Sequence, residues 1–279
     1  MTEPLDWCEQ RLLVRGNPLS ASLPFAPPEQ RDRILALRAV IAEIAAVPDT
    51  VSDRDVGLAK LDWWKRALRE ELPHPARQAL AQAGAADRVS RERFDALVDG
   101  VALTLDSPRF ENRDQAWRYC LAVGGPAAGL EAELLGADKT HADDLCPLGA
   151  VAYLVRLVRD LAIDARVHRW FVPLDIQAEY QVARQEVADG RGGAGFDGLV
   201  RAWLADGFRR CRPVTDKLPS AQAWQHRHLL VQHALDRRLA ARLERKPRRT
   251  LSQRVHIGPI GNAWCAWRTT RSLMHAYKK

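Results

Sequence analysis

The chain has 279 residues, of which 47% are apolar and 28% charged, a composition that supports a substantial buried core and excludes a disordered chain. Its formal charge of +7 and pI near 9.4 favour anionic partners such as diphosphates, phospholipid head groups or nucleic acid, without choosing among them.

Apolar residues recur at spacings of three and four along nearly every long segment. Alternating runs of Val, Ile, Thr and aromatics are missing, so the expected fold is all-α. The first helix is predicted over residues 29–46, started by Pro27-Pro28 and stopped by Pro48. A second is predicted over 53–72, capped by Ser52 or Asp53 and ended by Pro73. Further helices are predicted over 90–105, 114–135, 141–166, 196–218, 221–245 and 257–275. Short Pro, Gly and Asp clusters separate them, apart from a flexible loop expected over 190–195. No linker and no repeat of solenoid period interrupts the chain, so one bundle of mostly antiparallel helices spanning residues 1–279 is expected.

The five cysteines (Cys8, Cys120, Cys146, Cys211 and Cys265) are scattered and form no CxxC pair. That pattern argues against a disulfide framework or a zinc site and fits a reducing cytoplasm. Glu3, Asp6 and Glu9 stand where a signal peptide has basic and then apolar residues. The most apolar stretches, 34–47 and 148–158, are interrupted by Arg38, Glu43 and Arg156 and fall short of a spanning helix. A soluble protein, or one peripheral to the inner face of a membrane, is expected.

Residues 153–173 read YLVRLVRDLAIDARVHRWFVP. Asp160 and Asp164 are four apart, which puts both carboxylates on one helical face, one turn from each other. Two oxygen ligands at that spacing can hold a magnesium ion that also bridges a phosphate, and guanidinium forks from Arg159 and Arg166 match phosphate oxygens. The plain alternative is a solvated face on which these carboxylates pair with Arg156, Arg159 and Arg166.

The string R-D-x-x-x-D-A-R-x-x-R-aromatic-x-V-P, from Arg159 to Pro173, resembles the second aspartate-rich motif of the squalene/phytoene synthase family. The resemblance continues in order along the chain. LPFAPPEQRDRILALRAVIAE (23–43) is similar to the family's opening helix, GLAKLDWW (57–64) to the segment after its first acidic motif, and YCLAVGGPAAGLEAELLG (119–136) to its Y-C-x-x-V-A-G and L-L-G elements. What the resemblance implies is an antiparallel helical bundle around a central cavity, with two aspartate-rich motifs facing each other to bind magnesium and prenyl diphosphates for head-to-head condensation. Carried onto this chain, it makes Asp160, Asp164 and Tyr119 catalytic. Arg159, Arg166, Arg156 and Arg38 become substrate-binding, and Asp160, Asp164, Asp49 and Asp53 become metal ligands. A squalene-type product would also require NADPH.

The first acidic motif departs from the family's D-D-x-x-D. Ala45 and Ala46 stand where its leading carboxylates belong, Asp49 remains, and Pro48 lies inside. Tyr153, Arg156 and Ile163 replace polar residues of the second motif, and the charge of Arg156 offers a substitute for a lost metal. The stretch from Pro48 to Trp64 is closer to a divergent branch that includes a mitochondrial complex I assembly factor. A second expectation therefore stands beside the first: a non-catalytic factor that binds a lipid or protein partner on the same fold.

Of nine tryptophans, Trp63, Trp64 and Trp170 are candidates for the cavity wall by cation-π chemistry, with ordinary core packing as the alternative. Residues 257–279 join Trp264 and Trp267 to Arg268, Arg271, Lys278 and Lys279, which suits either a closing helix with a basic edge or contact with an anionic membrane. The basic run 242–249 lacks a recognition motif, so nucleic acid is not an expected partner. His226, His228 and His233 lack carboxylate or cysteine company at ligand spacing and read as ordinary core or surface histidines.

Overall fold

A computed structural model describes residues 3–279. Among these residues the regular elements are all helical, and none of the helices is long and apolar enough to cross a membrane. The major helices are α1 (Pro4–Leu12), α2 (Arg31–Ala45), α3 (Arg54–Arg69), α4 (Arg91–Ala102), α5 (Arg113–Leu134), α6 (Lys139–Arg159), α7 (Leu161–Arg166), α8 (Phe196–Lys217), α9 (Arg227–Arg245) and α10 (Pro259–Tyr277). Short helices over Pro18–Ser22, Pro75–Gln82, Leu174–Tyr180 and Arg184–Ala188 fill the connections.

Helix α2 is the most enclosed element of the N-terminal half. Ile34, Leu35, Ala36, Leu37, Ala39, Val40 and Ile44 are all 3% exposed or less, so it is apolar nearly all round, as a central helix must be. It stops at Ala45, and Pro48 begins a separate turn over Val47–Thr50, because proline cannot donate into the preceding ladder. Helix α3 begins on Asp53, whose Oδ1 accepts from the Asp55 and Val56 amides at 2.9 and 3.0 Å. It buries Gly57, Leu61 and Trp64 along one stripe.

Helices α5 and α6 form the spine, brought together by glycine. A Cβ on Gly149 would stand 2.1 Å from the Gly124 carbonyl oxygen, and one on Gly124 would stand 2.3 Å from that of Gly149. Pro126 inside α5 has no N–H to offer the Ala122 carbonyl. Gly100 of α4 lies against that carbonyl so closely that a Cβ would meet it at 2.1 Å.

A largely buried polar chain ties the elements across the bundle. Arg38 of α2 pairs with Glu131 of α5 at 2.5 Å, and His228 of α9 bridges Glu131 at 2.6 Å and Ser22 Oγ at 3.0 Å. Gln232 donates to the same hydroxyl at 2.6 Å. Burial alone would push Glu131 up, but Arg38 and His228 outweigh it and hold the carboxyl down at about 2. The contacts have the order of a serine hydrolase triad, yet Ser22 has no accessible surface and so cannot meet a substrate.

Candidate functional site

A cavity of about 290 Å³ lies between α2, α4, α5, α6 and α9. Its apolar wall includes Ile41, Leu97, Val101, Val123, Leu148, Leu157 and Phe171. Beside it opens a wider mouth of about 690 Å³, lined by Asp49, Asp53, Asp160 and Asp164 together with Arg156, Arg169 and Arg254. Asp164, Arg156 and Arg169 belong to both spaces, so a charged entrance leads into an apolar interior.

Asp160 and Asp164 straddle a break between α6 and α7. Asp160 leaves helical geometry at φ −101°, ψ 9°, yet the Asp164 amide still donates to the Asp160 carbonyl at 2.9 Å. The turn is kept and so is the shared face. Both carboxylates are buried, at 3% and 9% exposure. Asp160 accepts two guanidinium forks: Arg159 reaches it at 2.9 and 2.6 Å and Arg254 at 2.9 and 3.1 Å. Burial pushes the Asp160 carboxyl up, and the hydrogen bonds and charge of Arg159 and Arg254 pull it further down, to a net depression. Asp164 pairs with Arg169 at 2.8 Å, but there burial wins over Arg169 and Arg156 and the carboxyl is raised.

Across the mouth, Asp49 accepts from Arg156 at 3.2 Å and Arg169 at 3.0 Å. Arg169 therefore joins Asp49 to Asp164. Its Nε is buried without a partner. Asp53 is exposed, with one oxygen spent on capping α3.

Tyr119 is set back from the cavity. Its hydroxyl meets that of Tyr153 at 3.3 Å and its ring stacks on Phe171, while Tyr153 lines the wall. Burial raises the Tyr119 phenol strongly, with Tyr153 adding to the effect. Arg38 reaches the cavity wall while committed to Glu131. Arg166 departs from the expected role, because its guanidinium turns away to the Ala188 and Leu251 carbonyls at 3.2 and 2.6 Å and ties loops together. Arg169 and Arg254 take the place expected for it.

The cavity-facing positions of α2 are Arg38, Ile41 and Ala45, followed by Pro48. Ala46 instead lines an outer groove with Trp63, Trp64 and His74. Helical spacing selects residues four apart, so the adjacent pair Ala45-Ala46 splits between two faces. The tryptophans also depart from the cavity reading. Trp63 and Trp64 pack edge-on to each other and to His74, and Trp170 lines a separate groove with Phe110 and Arg184.

Beyond Arg169, which stood inside the motif without an assigned role, two contributors escaped the sequence reading. Arg254 lies in an irregular stretch after the short helix Arg249–Ser252, where no periodicity assigns a face. Asp236 lines the cavity with Leu229, Gln232 and His233, and here a signal existed, since polar residues recur at 232, 233 and 236 on an otherwise apolar stripe. Asp236 is half-buried on the cavity wall, and burial pushes its carboxyl up to about 7 against Arg38 and Arg159.

The donor set does not fit a magnesium cluster. Among the described residues no three His, Cys, Asp or Glu side chains converge to hold a metal ion, and the carboxylates that face the mouth are already engaged by guanidinium groups or a helix cap.

Residues 16–260 match the family described as squalene/phytoene synthase. The chain is 26% identical over 166 residues to human NADH dehydrogenase (ubiquinone) complex I, assembly factor 6, covering 57% of this chain and 50% of that protein. It is 27% identical over 173 residues to the 15-cis-phytoene synthase of Enterobacter agglomerans, covering 60% and 58%. The chain thus spans about half the length of the curated relatives it matches. In fold it is similar to squalene synthase HpnC from Alicyclobacillus acidocaldarius, with a TM-score of 0.70 at 17% identity over 87% of this chain and 94% of that one. A dehydrosqualene synthase crystallised with a ligand gives 0.69 at 15% identity over 99% and 96%. The match over residues 16–260, joined to the helical cavity and its paired aspartates, establishes that the chain belongs to the squalene/phytoene synthase family.

Proposed function

We propose that the protein binds an isoprenoid diphosphate, with the hydrocarbon in the apolar cavity and the diphosphate held at the mouth by arginine in place of magnesium, and that it does not carry out head-to-head condensation. The observation that carries this reading is the charge arrangement of the entrance. Arg156, Arg159, Arg169 and Arg254 meet three carboxylates, Asp49, Asp160 and Asp164, and the buried Arg169 Nε has a bond left to donate. A guanidinium fork matches phosphate oxygens bidentately. The cavity-facing Ile41 and Ala45 supply no oxygen to a metal. Each interaction of that kind lost from a transition state costs about 10²- to 10³-fold in rate.

Calorimetry with an unreactive farnesyl thiodiphosphate tests it. Binding is expected without magnesium, with affinity falling about tenfold or more in Arg169→Gln, which removes one charged pairing. No heat with or without the metal would sink the proposal. Squalene or phytoene formed from prenyl diphosphates with magnesium and NADPH, and abolished by Asp160→Ala, would refute the non-catalytic half alone.

A second reading, a factor that uses the same bundle to engage a protein partner during assembly, draws support from the likeness to the human assembly factor and from the loss of carboxylates on α2. Absence of ligand heat together with a stable stoichiometric complex with a partner would favour it.

A further inference from the structure

Helix α10 is held to the body by one side only. Asn262 and Ala266 are buried, and Ala266 packs with Val231 and Leu235 of α9. The opposite side faces outward with Ile260 at 86%, Trp264 at 56% and Trp267 at 40% exposure, and Met274 continues the same stripe. Residues 260, 264, 267, 271, 274 and 278 follow helical spacing, so Arg271 and Lys278 share this face. Arg271 lies over the Trp267 ring at 5.4 Å. Large apolar side chains exposed in a row on one helix are a contact surface more often than an accident.

Charge identifies what this face meets. Residues 259–279 contain four Lys and Arg and not one Asp or Glu. Among the described residues, Arg268 and Arg271 of α10 and Lys278 and Lys279 just beyond it make no ion pair. A second copy docked through this face would set like charges against each other across a twofold axis, whereas an anionic bilayer complements them. Tryptophan favours the bilayer interface, where its apolar ring and N–H both find suitable surroundings.

From these observations we propose that α10 docks in the plane of an anionic phospholipid bilayer, with Ile260, Trp264, Trp267 and Met274 entering the acyl boundary and the flanking cations on the head groups. The docking is independent of what the cavity holds. Helix α9 stands between the two, with Leu229, Gln232, His233 and Asp236 on the cavity and Val231 and Leu235 against α10, so the docked face lies directly behind the cavity wall.

Flotation of the intact chain with vesicles of phosphatidylcholine, alone or with about 30% phosphatidylglycerol, tests the proposal. Binding is expected only with the anionic lipid and is expected to weaken as salt is added. Trp264→Ser combined with Trp267→Ser should weaken it about tenfold or more with little change in melting temperature, because both side chains are exposed and pack chiefly on each other. If that variant does not fold, quenching of wild-type tryptophan fluorescence by brominated anionic lipid decides in its place. The proposal is overturned by absent flotation at low salt, by undiminished binding in the variant, by a lack of quenching, or by a wild-type dimer in ultracentrifugation that the same substitutions dissociate.

Discussion

Asp236 and Asp160 show how two carboxylates in one bundle acquire opposite pH behaviour. Asp236 is pushed up to about 7 by burial, against Arg38 and Arg159, so between its unfolded value near 4 and 7 the folded state holds the extra proton. Stability therefore declines as pH rises through that window. Asp236→Asn should stabilise the protein by up to about 4 kcal/mol at pH 8 and by almost nothing at pH 4, as read from urea midpoints; an equal gain at both would show that charge is not the cause. Asp160 is depressed below its usual value, so its contribution is present above the unfolded value and is lost on acidification. Asp160→Asn should cost about 3 kcal/mol at neutral pH, since it leaves Arg159 and Arg254 without their charge partner. The Asp160–Asp164 pair was legible because four-residue spacing on a helix fixes a common face. Arg254 was not, because its partner lies 94 positions away and only the folded chain brings them together.

At the scale of elements, prolines and apolar periodicity located the long helices to within a few residues. Pro48 ends α2 as expected, and the α3 cap falls on Asp53. Two predicted helices divide instead: residues 141–166 break at Asp160, and 221–245 break at His226 between Ser220–Gln225 and α9. Neither residue is a breaker by type, so tertiary contacts impose the change. Around Asp160 that contact is the Arg254 fork, joined by the fork of the adjacent Arg159. The short helices over Pro4–Leu12, Pro75–Gln82 and Leu174–Tyr180 went unforeseen because one or two turns hold too few apolar residues to establish a period. The crossing of α5 and α6 makes its own prediction. In a free helix, Gly→Ala is worth about 1 kcal/mol of stabilisation, but the methyl of Gly149→Ala would fall 2.1 Å from the Gly124 oxygen. The substitution should destabilise by about 2–4 kcal/mol, as overpacking that forces backbone apart does. A neutral or stabilising result in thermal melts would mean that the helices can separate at no cost, and that their contact does not set the cavity wall.

Over the whole molecule, the cavity is what the helices leave between them, and its proposed ligand couples to the stability of the entire bundle. An unreactive prenyl thiodiphosphate at a hundred times its dissociation constant should add about 2.7 kcal/mol to unfolding without magnesium, with the shift lost when Arg169 is neutralised. A melt unmoved at that concentration would argue against a preformed site. The sequence by itself determined the all-α class, the family and the paired aspartates, because helical periodicity and a long local motif are properties of neighbouring residues. Only the tertiary structure decided that Arg166 serves the loops while Arg169 and Arg254 serve the site, that Ile41 and Ala45 rather than Ala45 and Ala46 face the cavity, and that Trp63 and Trp64 stand outside it. Those outcomes depend on which helix lies opposite, and that is set by packing among residues far apart along the chain.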